Sequence, residues 1–172
     1  MIKGVILKDL DIHIDQRGFF SELIREDWDS FLGGKEIKQV NYSFGYPRIV
    51  RAWHRHLRGQ VDFFVVLKGA MKFCAYDSDK KSETYGELDE FVLSSHKLQI
   101  LRIPGNLWHG NMVVSNEPAF FVYMTSNLYN YKDPDEQRLM WNSVLIVPKS
   151  INGNKDDPRV GSLWDWYSSP NK

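Results

Sequence analysis

The 172-residue sequence predicts an all-β sandwich or barrel. Three observations carry that expectation. The apolar runs are short, turn residues punctuate them at strand-like spacing, and aromatic side chains make up 14% of the chain, a composition that suits pleated, half-buried surfaces and ring-stacking pockets. The length fits one domain with a single core.

Taken in order, strands are expected near 4–8, 11–14, 37–43, 49–56, 61–67, 70–76, 88–93, 97–103, 111–115, 118–125 and 144–147. The turn signals between them are FGYP at 44–47, KG at 68–69, DSDKKSETYGE at 77–87, IPGN at 103–106 and SNEP at 115–118. Two helical turns interrupt this pattern. In REDWDSFLGG, Trp28, Phe31 and Leu32 fall at i, i+3 and i+4, with Gly33-Gly34 as a stop. In DPDEQRLMW, Pro134 stands in an acidic first turn. From Pro148 the sequence loses its period and ends in Trp164, Trp166 and Tyr167. Exposed indoles would form a costly apolar patch, so this tail is expected to lie over the barrel or over a neighbouring subunit.

Charge and cysteine content exclude several function classes. Lys+Arg and Asp+Glu balance at 22 each, so no global field favours nucleic acid or an anionic membrane. No run approaches a membrane span, and the four-residue GVIL run at 4–7 is too short for a signal-peptide core. Cys74 is the only cysteine. It excludes an intramolecular disulfide and reads as a buried structural thiol in a reducing, cytoplasmic protein.

The segment RIVRAWHRHLRGQVDFFVVLKG, residues 48–69, concentrates the chemistry. Strict strand alternation puts Val50, Ala52, His54 and His56 on one face and Ile49, Arg51, Trp53 and Arg55 on the other. Asp62 shares a face with Phe64 and Val66, where a carboxylate is costly unless paired. His109 follows the Pro104-Gly105 turn, while His13 and His96 read as surface residues.

Six segments, in order, resemble the dTDP-4-dehydrorhamnose 3,5-epimerases. They are DQRGFFSEL (15–23), KQVNYS (38–43), VRAWH (50–54), SETYGE (82–87), IPGNLWHG (103–110) and VYMTSNLYNYKDPDE (122–136). The resemblance implies one cupin domain over 1–172, a double-stranded β-helix jelly roll. It implies a homodimer in which residues 1–45 meet the partner, and no metal or cofactor. The implied substrate is a nucleoside-diphosphate-linked 4-keto-6-deoxysugar, used in deoxysugar or surface-polysaccharide biosynthesis. The catalytic base falls on His54 and the proton donor on Tyr123, with Tyr129, His109 and Arg51 in the pocket. The nucleotide set falls on Arg17, Phe20, Glu22, Gln39 and Asn41. Imidazole suits removal of a proton alpha to a ketone, a phenol with a lowered pKa can return it, and arginine binds diphosphate through charge-assisted bonds.

Three departures from the family pattern leave alternatives open. Asp62 stands where the family carries a lysine, RGLH becomes RAWH with His56 added, and the aspartate that orients the family histidine has only Asp156 or Asp157 as candidates. A rival reading makes His54, His56, Asp62 and His109 the ligands of a divalent ion. A third reading is a sugar-nucleotide-binding cupin without turnover.

Overall fold

The computed structural model describes residues 1–168. Its elements run β1 (Ile6–Asp9), β2 (His13–Asp15), β3 (Gly18–Phe20), α1 (Asp29–Leu32), β4 (Gln39–Gly45), β5 (Val50–Arg55), β6 (Val61–Lys68), β7 (Ala70–Tyr76), β8 (Glu87–Ser94), β9 (Gln99–Pro104), β10 (Trp108–Val113), β11 (Ala119–Thr125), β12 (Gln137–Arg138) and β13 (Ser150–Ile151). Two sheets face each other in a cupin-type jelly roll: a five-stranded sheet in the order β1-β9-β6-β11-β4 and a six-stranded one in the order β12-β5-β10-β7-β8-β13. Strands β2 and β3 form a separate hairpin.

Period-two alternation explains why β6 reads as an almost continuous apolar run. Phe64 and Val66 point into the barrel, where they meet Phe73, Leu101, Ile103 and Phe121. Val61, Phe63 and Val65 point the other way and pack under Phe31 and Leu32 of α1. Both faces of the strand are therefore buried. The stop after α1 is the expected one: Gly33 takes the left-handed conformation (φ 61°) and donates its N–H to Asp29 O.

The outer face of the six-stranded sheet is covered by the chain's own tail. Ile146, Ile151, Trp164 and Trp166 pack on Trp53, Cys74, Leu88, Trp108 and Met112. Lys72 secures the contact, donating to Trp166 O at 3.1 Å and Ser168 O at 2.9 Å while pairing with Glu90 at 2.9 Å. The last four residues of the tail, 169–172, lie outside the described residues. Cys74 is fully buried, and burial pushes its thiol well above the ordinary range, as suits a structural residue.

Three sequence expectations are corrected. Residues 144–147 form no strand; Ile146 instead inserts into the core beneath the tail. The DPDEQRLMW segment is not helical, because Gln137 and Arg138 pair with Arg55 and His54 as β12. An unforeseen strand, β3, turns DQRGFF back on β2. Among the described residues no helix is long and apolar enough to cross a membrane.

One buried carboxyl gives a pH signature. Asp89 is fully buried and accepts the Ile2 N–H at 2.9 Å, yet burial pushes its pKa up to about 6. A carboxyl whose folded pKa lies above its unfolded value adds stability below the unfolded value and loses it as pH rises through about 6. Asp89→Asn is therefore expected to raise the melting temperature relative to the parent at pH 8 and to lose that advantage by pH 4. Parallel pH profiles of the two proteins check this, and an Asn variant less stable throughout would contradict it.

Candidate active site

The cavity forms where β5 departs from strict alternation. Between β5 and β10, His109 pairs with His54 and Asn111 with Arg51, so two residues of β5, Ala52 and Trp53, oppose the single Gly110 of β10. This bulge reverses the strand's phase. Arg51 and His54 both turn inward, while Trp53 turns outward against Trp166 with ring centroids 4.9 Å apart. The expectation that Arg51 faces away from His54 is thereby corrected, while Val50 and Ala52 border the cavity and also pack against the tail cluster. Gly110 makes room for the bulge: a Cβ there would lie 2.3 Å from Ala52 Cβ.

The resulting cavity, about 610 Å³, is lined by residues of both sheets. Gln39, Asn41, Arg51, His54, His56, Asp62, Tyr123 and Tyr129 all border it. His109 stands directly behind, its ring 4.2 Å from that of His54. His54 comes from the six-stranded sheet and Tyr123 from the five-stranded one, so imidazole and phenol occupy opposing walls.

Electrostatics separate these two groups. Burial holds His54 well below the usual histidine range, helped by neighbouring His109, His56 and Arg138. It is thus a neutral base at physiological pH. Burial and then the nearby Asp62 carboxylate push the Tyr123 hydroxyl up. The expected lowering of its pKa is corrected: the residue is held as a protonated phenol, the donor form.

Asp62 has found its partners. Its Oδ1 accepts from Gln60 Nε2 at 2.7 Å, and its Oδ2 lies 3.1 Å from His109 Nε2 and 3.5 Å from His56 Nε2. Asp157 pairs with Arg159 at 2.9 Å, and the Asp156 N–H donates to Asn154 at 2.9 Å. Neither aspartate orients His54, which correction leaves that ring positioned by its histidine neighbours.

Three arginines border the cavity, and they are not equivalent. Arg58 pairs with Asp133 at 2.7 Å and Arg138 with Glu136 at 2.8 Å. Arg51 donates only to Ser43 Oγ (2.9 Å) and Phe44 O (2.8 Å), so among the described residues its charge faces no carboxylate. It is the lining cation left for an anionic ligand.

The predicted nucleotide set divides into two groups. Gln39 donates to Asn41 Oδ1 at 2.8 Å and accepts the Tyr129 N–H at 2.9 Å, so these three form one edge of the cavity. Arg17, Phe20 and Glu22 do not reach it within this chain. Arg17 bonds Asp15 on the exposed hairpin, Phe20 is 61% exposed beside it, and Glu22 pairs with Arg25. Residues missed from sequence include Asp135, whose carboxylate caps the Leu57 and Arg58 N–H groups and whose carbonyl meets His56. Its position in DPDE was the available signal, read there as a helix start.

A family model described as dTDP-4-dehydrorhamnose 3,5-epimerase matches residues 1–159. The chain belongs to this family. The epimerase is 46% identical over 138 residues to a probable low-salt glycan biosynthesis epimerase of Haloferax volcanii, covering 80% of this chain and 87% of that protein. It is 35% identical over 146 residues to a spore coat polysaccharide biosynthesis protein of Bacillus subtilis, covering 85% and 94%. A solved structure of a dTDP sugar isomerase from Desulfovibrio desulfuricans superposes with a TM-score of 0.75 at 25% identity, covering 84% of this chain and 89% of that one. The protein is accordingly a sugar-nucleotide epimerase of this type.

Proposed function

We propose that this epimerase inverts, or isomerises, a nucleoside-diphosphate-linked 4-keto-6-deoxysugar by moving protons at carbon next to the ketone. One observation supports the reading above others: a bare imidazole and a phenol face each other across one cavity from opposite sheets. His54 takes the alpha proton, leaving an enolate. Tyr123 returns a proton from the other face of the sugar, which inverts the carbon. Hydrogen-bond donors fixed where the enolate charge develops lower the barrier, and Arg51, which lines the cavity, is placed for that work. Gln39, Asn41 and Tyr129 border the sugar and the near end of the nucleotide.

The family's named substrates make a dTDP-linked sugar the first probe, and the product feeds deoxysugar or surface-polysaccharide assembly in the cytoplasm. Arg17, Phe20 and Glu22 serve the nucleotide in a homodimer, where the hairpin, with Ile14 80% and Phe19 67% exposed, packs on a second copy. Sedimentation velocity is expected to give a dimer; a monomer at assay concentration overturns that part.

The test of the reaction is solvent exchange. In deuterium oxide, the enzyme is expected to place deuterium at the carbon beside the ketone of a dTDP-4-keto-6-deoxysugar, read by mass spectrometry and NMR. Folded protein that binds such sugars yet incorporates none, with dTDP, UDP and GDP carriers all tried, sinks the proposal and leaves a binding cupin.

A further inference from the structure

His56 and His109 each donate from Nδ1 to a backbone carbonyl, those of Asp135 and Leu107 respectively. Among the described residues the His54 ring makes no hydrogen bond. It rests against the rings of His109 and His56, with centroids 4.2 and 5.9 Å away. The direction of a side chain held in this way follows the backbone that carries it. That backbone is β5, which stands one place from the edge of its sheet, beside a β12 of two residues. The bulge at Ala52 and Trp53 interrupts its pairing with β10 on the other side. Few ladder bonds are left to fix this stretch.

The hold comes from Trp53, the residue before His54, which is 1% exposed. Its backbone N–H and C=O both bond Leu139, at 3.1 and 2.9 Å, and its Nε1 donates to Trp141 O at 3.2 Å. Its ring meets that of Trp166, itself fully buried, at 4.9 Å between centroids. Trp166 is fastened in turn by a buried clamp. Lys72 donates to its carbonyl oxygen and pairs with one oxygen of Glu90, whose other oxygen accepts from Arg159 at 2.8 Å. The Lys72 and Glu90 side chains are each 7% exposed, so each charge depends on the other. Arg159 and Lys72 also stand over the Trp164 ring, 5.2 and 5.8 Å from its centroid. The tail is thereby tied to β7 and β8, and through Trp166 it bears on β5.

We propose that Trp166 is a positioning residue for the base: pressed on Trp53 by the Lys72–Glu90–Arg159 clamp, it fixes the bulge of β5 and with it the direction in which His54 meets the sugar. Trp166 does not border the cavity, so it acts without touching substrate. The inference rests on the proton-transfer reading of the cavity. A base displaced by about 1 Å from its proton loses roughly 100-fold in rate, while the groups that hold the nucleotide keep their places. The mark of this arrangement is a fall in kcat with KM preserved.

The test uses the full-length chain and a dTDP-4-keto-6-deoxysugar in deuterium oxide, well below each variant's melting temperature. Trp166→Ala is expected to lower kcat for exchange roughly 30-fold and to leave KM within about twofold. Trp166→Phe, which keeps a ring against Trp53, should return kcat to within about threefold of the parent. Ile151→Ala is the control for lost stability. Ile151 is buried in the same cluster but belongs to β13, at the far edge of the sheet from β5. Its loss should lower the melting temperature with kcat unchanged. If Trp166→Ala does not fold, Lys72→Met, which releases the Trp166 carbonyl, carries the comparison with a fall of about tenfold. A second readout is the His54 ring itself, followed by NMR of ¹⁵N-histidine protein and assigned against His54→Ala. Its ring-nitrogen signals are expected to shift in Trp166→Ala and to stay in place in Ile151→Ala. Equal kcat in those two variants, a raised KM at parent kcat, or unmoved His54 signals each overturn the positioning role. Failure of the parent chain to exchange any keto-sugar overturns the reaction instead, and the NMR comparison then still decides whether the tail fixes this ring.

Discussion

His54→Ala is expected to lower deuterium exchange at the carbon beside the ketone by about 10³-fold, within the range for loss of a positioned general base. The affinity for the nucleotide diphosphate should hardly change, because Arg51, Gln39 and Asn41 remain on the cavity wall. Tyr123→Phe gives the informative contrast. With the imidazole intact, the alpha proton is still removed and a solvent deuteron returns from the same side. Exchange therefore survives while inversion at that carbon stops. NMR of the recovered sugar reads both outcomes in one sample. A Phe variant that still inverts, or an Ala variant that exchanges at the parent rate, would remove these residues from the reaction.

The second large effect is structural. Gly110→Ala adds a Cβ that meets Ala52 Cβ at 2.3 Å, Ala52 Cα at 2.8 Å and Arg51 O at 2.8 Å. Two of these are backbone atoms, which no rotamer change can move. The clash falls where β10 lies between β5 and β7 in the sheet, so relief requires the bulge of β5 to shift. A cost of about 3 kcal/mol or more is expected, which lowers the melting temperature by roughly 10 °C in a domain of this size. Exchange should fall as well, since Arg51 and His54 flank the displaced residue. A variant that melts with the parent protein would show that β5 does not crowd this position.

Much of the architecture was legible because most strands keep their phase. In VDFFVV the alternation of Asp62, Phe64 and Val66 against Val61, Phe63 and Val65 sorts the interior from the layer under α1, and Gly33-Gly34 marks the end of the helical turn. Strand β5 was misread for one physical reason. An extra residue between Arg51 and His54 inverts the phase, and no local residue preference announces that device. The DPDEQR segment has the acids and proline of a helix start, but pairing with β5 overrides them, as tertiary contacts commonly do for short elements. The partners of Asp62 were equally hidden: Gln60 is near in sequence, but His109 arrives from another strand. The constellation of His54, His56, Asp62 and His109 could be picked out as chemistry, whereas its internal pairing required the fold.

Trp53 and His54 are consecutive residues on opposite sides of one wall, and the indole side is crowded. Four of the chain's six tryptophans, at 53, 108, 164 and 166, gather there. Intrinsic fluorescence is thus dominated by a cluster directly behind the base. Emission from this protein becomes an optical gauge of that wall, able to follow ligand entry or loosening of the tail without an added label.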